Sequence, residues 1–134
     1  MDKKVMLFRQ VFPDWFKDGI VSSLAFNPSE AHKFLLSSYS YDVFTGESSF
    51  EHYTKISQLP SVGCLGVTNE EYLNHDLVSA RDNHNFDGHV STDFSVHGNN
   101  QRSKKAQKLR NIAFERGWIF ENPGSNIDEE QEIE

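Results

Sequence analysis

The chain is short of several things, and each shortage excludes something. Its 134 residues include one cysteine, four prolines, two methionines and two tryptophans. A single cysteine, Cys64, cannot close an internal disulfide, and its setting in VGCLGV marks it as a buried, inert thiol. That fits a reducing cytoplasm, the expected location. No apolar run approaches the ~18 residues that a membrane helix needs, so no membrane contact is expected. The opening MDKKVMLFRQVF carries two lysines but neither the continuous apolar stretch nor the small-residue cleavage site of a signal peptide. The glycine-rich phosphate loop, the dinucleotide fingerprint, the G-x-S-x-G elbow and HExxH are all missing, which removes the function classes those motifs announce.

Large aromatics are plentiful. Eleven phenylalanines bring the aromatic content to 13%, so the core is built from few but bulky side chains. A charged fraction of 25% is ordinary for a folded domain. The net charge of −7 is unevenly placed. Between residues 102 and 116, Arg102, Lys104, Lys105, Lys108, Arg110 and Arg116 face only Glu115, while the body and the end of the chain are acidic. An acidic body is a poor platform for nucleic acid, whose affinity rests on phosphate neutralisation; only the 102–116 helix could serve there.

Hydrophobic patterning predicts an α+β fold, with mixed α/β as the alternative: a small sheet, three to four short helices and a C-terminal amphipathic helix. Residues 1–121 form one domain and 122–134 a disordered acidic tail. Val5 to Phe12 reads as a central strand buried on both sides. PDWFKDG is a turn region closed by Gly19, and Ile20 to Phe26 a second strand. Asn27-Pro28-Ser29-Glu30 carries a helix-start signature with Asn27 as cap. Phe34 to Tyr39 is extended. Thr45-Gly46-Glu47-Ser48 opens a helix with Phe50, Tyr53 and Ile56 on one face. Val62 to Val67 is a strand whose Gly63 and Gly66 indicate close approach of a neighbouring element. Thr68 and Glu71 form a capping box. Leu77 to Ala80 and His89 to Val96 complete the strands. A helix from about Asn100 to Arg116, started by an asparagine cap and stopped at Gly117, presents Ala106, Leu109, Ile112 and Ala113 to the core. Trp118-Ile119-Phe120 packs back as a final edge strand or anchor.

Four groups of residues are candidates for function. Trp15 and Phe16, two aromatics in a turn, suit a partner-binding anchor, and as structural residues they fold inward onto the core. Arg102, Lys104, Lys105 and Lys108 suit docking of an acidic partner, and otherwise form a solvated helix face. His84, His89 and Asp93 form the richest His/Asp segment. That set is similar to a ββα-metal nuclease, with His84 or His89 as base and Asn99 or Asn100 and Asn111 following, and it implies a divalent ion.

Arg9, then Ser22 and Ser23, then Glu47 follow an order that resembles some ADP-ribosyltransferases, which hold NAD with an arginine and a serine and activate the ribose with a glutamate. The resemblance implies an NAD-using or nucleotide-modifying site, with Tyr39 or His52 alongside. In structural roles, Arg9 pairs with a carboxylate, the serines satisfy backbone groups and Glu47 supports a helix cap.

The leading expectation is a non-catalytic, cytosolic interaction protein of bacterial or phage type, antitoxin-, immunity- or defence-associated. It binds a protein partner and needs no cofactor.

Overall fold

The computed structural model describes residues 1–123. β1 (Met6–Gln10) organises the rest. Leu7 and Phe8 are both buried, and adjacent strand residues point to opposite faces, so β1 needs cover on two sides. The chain continues through a short hairpin, β2 (Phe16–Lys17) and β3 (Ile20–Val21), then β4 (Leu35–Ser40) and β5 (Gly63–Thr68). β6 (Val78–Arg81), β7 (His89–Asp93) and β8 (Phe120–Glu121) complete the strands. Six of them make one antiparallel sheet in the order β6-β7-β4-β1-β5-β8, with β1 near its centre. The fold is α+β.

Two clusters cover the two faces. On one, Leu7, Val11, Leu36, Leu65 and Val90 pack under α3 (Asn99–Arg116) and a 3-10 turn at Ser23–Phe26. On the other, Phe8, Tyr39 and Cys64 are covered by Phe44, Tyr53, Phe86 and Phe120. This face is closed by α1 (Gly46–Glu51), which runs into a π-helical turn at His52–Ile56. Cys64 is fully buried here, and desolvation pushes its thiol up to about 11, against the opposing hydrogen bond from Ser49. It is unreactive at neutral pH.

The helix starts follow local chemistry. Thr45 accepts from the Ser48 amide and Ser48 answers on the Thr45 amide, so the predicted start of α1 holds. The Thr68–Glu71 box opens α2 (Asn69–Leu73) as expected. Glu71 is engaged again by Arg116, which donates to both carboxylate oxygens and to the Gly66 carbonyl, tying the end of α3 to β5. The stripe of α3 is buried at Ala106, Leu109 and Ala113 and half-buried at Ile112.

Several expectations are corrected. The run Ile20 to Phe26 is strand only over Ile20–Val21, because the Ser22 hydroxyl accepts from the Leu24 amide and turns the chain into a 3-10 helix. Asp18 and Gly19 both adopt positive φ, the two-residue hairpin turn that Asp-Gly favours. The segment after Asn27-Pro28 forms no α-helix; a single 3-10 turn spans Glu30–His32, and Lys33 and Phe34 take left-handed conformations that end it. Gly98, not an asparagine, caps α3. Ile56 is exposed, since the π-turn rotates it off the core face. Val96 is likewise exposed, beyond the end of β7. Close approach at the two glycines of β5 is real: a Cβ at Gly63 would lie 2.5 Å from the Phe120 carbonyl oxygen, and one at Gly66 2.6 Å from Met6 Sδ. Most of the expected acidic tail, from Gly124 onward, lies outside the described residues.

Candidate functional site

The sheet splits next to Arg9. β1 and β4 pair at Leu7↔Ser40 and Phe8↔Tyr39, after which β1 stays on β5 as far as Gln10↔Cys64 and β4 stays on β7 as far as Leu35↔Asp93. The two central strands therefore part where Arg9 and Ser38 would be the next pair. The Arg9 side chain fills the fork. Its Nε donates to the Ala25 carbonyl at 2.7 Å and its Nη1 to the Ser37 carbonyl at 3.0 Å, and its guanidinium lies 5.4 Å from the Trp15 ring centroid. The remaining three of its five N–H donors have no acceptor among the described residues. The expectation that Arg9 pairs with a carboxylate is corrected: among the described residues no Asp or Glu lies within ion-pair distance of it. Burial lowers the Arg9 pKa, partly countered by the phenols of Tyr72 and Tyr53.

Two cavities meet at this guanidinium. The smaller, about 130 Å³, is bounded by Arg9, Ser37, Ser38 and Tyr39 on the strands, by Tyr53 and Ser57 on the far side, and by Phe86 and His89. The larger, about 350 Å³, shares Arg9, Ser37 and Tyr53 and continues over Trp15, Leu24, Pro28 and Leu36. Neither has an acidic side chain in its wall. In a chain with twenty Asp and Glu that exclusion is chemically pointed. Ser38 Oγ is buried without a hydrogen-bond partner.

The wall of the smaller cavity is aromatic and held rigid. Tyr39 and Phe86 stack at 5.1 Å, His52 lies 4.4 Å from Phe86, and the Tyr39 hydroxyl meets His52 Nδ1 at 3.0 Å. Burial pushes the Tyr39 phenol up to about 12 and holds the His52 imidazole below its ordinary 6.5, so the pair is neutral at physiological pH. His89 is buried with Nδ1 at 3.0 Å from the Asp82 carbonyl.

No match to this chain is found among family models, curated proteins or solved structures. Its chemistry rests on its own geometry.

That geometry separates the residues grouped by sequence order. Ser22 is spent on its cap, Ser23 begins the 3-10 turn, and Glu47 is exposed in the first turn of α1. The structure thus leaves the set Arg9, Ser22, Ser23 and Glu47 apart; of the residues read with it, Arg9 and Tyr39 share a cavity and His52 touches Tyr39. His84 is exposed, and Asp93 Oδ1 accepts from the Ser95 amide. The described residues contain no group of three or more His, Cys, Asp or Glu arranged to hold a metal ion. Trp15 is half-buried between Arg9 and Phe12, and Phe16 packs edge-on against Trp118. Arg102 reaches the His97 carbonyl and lies over Phe34, and Lys105 donates to the His75 carbonyl, whereas Lys104 and Lys108 are exposed. No helix of the described residues is long and apolar enough to cross a membrane.

Ser37, Ser38, Tyr53, Ser57 and Phe86 were not singled out as cavity residues by sequence reasoning. One signal was available: Arg9 is the lone charge inside VMLFRQVF, an apolar run in which a cation needs a reason to be.

The neutral histidines predict a pH dependence of stability. His52 and His75 both titrate below 6.5, His52 through burial and His75 through burial and the nearby Lys108 and Lys105. The unfolded chain binds more protons below that value, so stability is full above pH 6.5 and falls as the pH drops through the lowered folded values. A second loss is expected once the pH falls below the ordinary values of 3.8 and 4.5 for Asp42 and Glu71. Asp42 is held low by the Arg81 hydrogen bond, and Glu71 by Arg116 and Thr68 against its own desolvation. Urea midpoints should be level from pH 8 to 7 and decline from 6.5 downward. His52→Gln should flatten that first decline, and a curve level down to pH 5 contradicts the assignment.

Proposed function

We propose that this protein is a non-catalytic binding protein, and that it recognises its ligand through an anionic group seated on Arg9. The observation that carries this reading is a half-buried guanidinium with three unspent donors and no counter-ion, at the junction of two cavities that have no carboxylate in their walls. A partly desolvated cation without a counter-ion is unfavourable, and an anion placed beside it gains charge-assisted hydrogen bonds. The rest of the lining suits holding more than reacting. Serine and tyrosine hydroxyls recognise a ligand, while the phenol at about 12 is far from the range of a base working near neutrality.

The test is thermal unfolding against inorganic phosphate, sulfate, acetate and benzoate at fixed ionic strength. A ligand at a hundredfold excess over its dissociation constant stabilises the native state by about 2.7 kcal/mol. For a domain of this size that raises the midpoint by roughly 8–12 °C. At least one of these anions should produce a saturable rise that Arg9→Gln removes. A midpoint indifferent to all four anions, or one that responds equally in Arg9→Gln, would falsify the reading.

The protein-partner reading keeps a narrower basis. Of the four α3 cations considered for docking, Arg102 and Lys105 are committed to backbone carbonyls, so the exposed pair Lys104 and Lys108 supports it.

A further inference from the structure

The two cavities that meet at Arg9 differ in size, and together they describe the two ends of one ligand. The smaller sets a few polar groups against its aromatic wall. Around about 130 Å³ stand the Arg9 guanidinium, the hydroxyls of Ser38, Ser57 and Tyr53, the Gln10 amide and His89. That volume is comparable to the ~150 Å³ cavity that holds one benzene ring, so it takes a compact group and little else. The Gln10 amide is already spent on Ser49 and Ser61, and Ser57 is engaged by the Tyr39 phenol, which leaves the guanidinium and the hydroxyls of Ser38 and Tyr53 as available donors. Ser38 Oγ is the sharpest of these, because its residue is only 2% exposed and the oxygen has no partner. A buried hydroxyl left unpaired costs on the order of 1–3 kcal/mol, so the site is incomplete as it stands.

Counting donors against acceptors selects the anion. A carboxylate offers two oxygens and one charge. A phosphate monoester offers three terminal oxygens and about −1.5 to −2 charge at neutral pH. The three remaining N–H groups of Arg9 and the hydroxyls of Ser38 and Tyr53 line this chamber together, and three terminal oxygens engage more of these donors than two. The larger cavity has the room that the smaller lacks. Its about 350 Å³ opens from the same guanidinium and runs along Trp15, Leu24 and Leu59, with Asn27, Ser29 and His32 also in its wall. This is the volume of a small-ligand pocket, with an apolar side for the body of a ligand.

We infer that the ligand is a phosphate monoester of a compact apolar or ring-bearing small molecule, its phosphoryl group in the chamber beside Arg9 and Ser38 and its organic body against Trp15 and Leu24. This rests on the proposed anion-binding function and adds the identity of the head group and the direction of the body.

Isothermal titration of the full chain with phenyl phosphate, inorganic phosphate and benzoate tests it. Phenyl phosphate should bind at least tenfold more tightly than benzoate, and at least fivefold more tightly than inorganic phosphate. Ser38→Ala should weaken both phosphates about tenfold and leave benzoate within twofold. Leu24 is more than half exposed, so Leu24→Asp should fold normally. It should weaken phenyl phosphate while sparing inorganic phosphate. Benzoate binding as tightly as phenyl phosphate overturns the phosphate assignment and leaves the Arg9 reading standing. Absence of binding by all three overturns both. An equal effect of Leu24→Asp on both phosphates removes the body from the larger cavity. A phosphoserine peptide bound more than tenfold more tightly than phenyl phosphate overturns the small-molecule assignment.

Discussion

Arg9→Gln is expected to weaken anion binding by a factor of roughly 30 to 150 with little change in the stability of the free protein. Hydrogen bonds to a charged group contribute about 1.5–3 kcal/mol each, and the free donors of Arg9 allow a bidentate contact. Losing the charge and half of that contact is worth about 2–3 kcal/mol, which sets the range. The stability of the unliganded protein responds to opposing terms. Glutamine gives up the donations to the Ala25 and Ser37 carbonyls and the contact with Trp15. It also removes a cation whose pKa burial already lowers. The net change should stay within about 1 kcal/mol, because a half-buried charge without a counter-ion is itself unfavourable. Arg9→Lys is the discriminating control. It keeps the charge but not the planar fork, so it should recover only part of the affinity and lose the hold on Ser37. Titration calorimetry of the two variants beside the parent decides the matter. If Arg9→Gln binds as the parent does, the cleft is not the site.

The largest effect on stability is expected from Gly63→Ala. Gly63 has φ of +144° and stands at the start of β5, where β8 pairs through Gly63↔Glu121 and Cys64↔Phe120. An added Cβ would meet the Phe120 carbonyl oxygen at 2.5 Å, the Glu121 Cα at 3.0 Å and the Trp118 ring at 3.2 Å. The two nearest of these atoms are backbone, so no rotamer change relieves the clash. Overpacking of this kind costs about 1–3 kcal/mol and an unfavourable backbone conformation about as much again. The sum, about 2–6 kcal/mol, corresponds to a fall in melting temperature of roughly 8–25 °C. If the protein escapes by releasing β8, Phe120 and Trp118 leave their neighbours and tryptophan fluorescence shifts red before global unfolding. Gly98→Ala is the comparison. Nothing lies within 4 Å of its added Cβ, so a fall of similar size there would show that Gly63 owes nothing to close approach.

These two positions differ in how far they could be foreseen. Gly63 was legible as a glycine inside an apolar strand, a pattern that means close approach wherever it occurs. So were the Thr45 and Thr68 caps, because a hydroxyl reaching an amide three residues away needs no knowledge of the rest of the chain. The segment Ile20–Phe26 departs from its pattern for a related reason. Its apolar residues suit a strand, but the Ser22 hydroxyl offers the backbone a local alternative that the pattern of hydrophobicity does not register. Arg9 could be noticed but not interpreted. Paired by order with Ser22 and Glu47, it belongs in the folded chain with Ser37, Ser38, Tyr39, Tyr53 and Phe86.

Local chemistry in the chain was enough for the α+β class, the two-sided burial of β1, the capping boxes and the inert cysteine, since each depends on residues within a few positions of one another. The Arg9 fork came only from long-range assembly. Its two backbone acceptors lie 16 and 28 residues downstream, and its cavity draws on Tyr53, Phe86 and His89 from three further segments. Two strands that pair for two residues and then part leave a gap whose contents are set by their other neighbours, β5 and β7. Side-chain order along the chain carries no record of that divergence, because which strands separate, and where, is a property of the whole sheet.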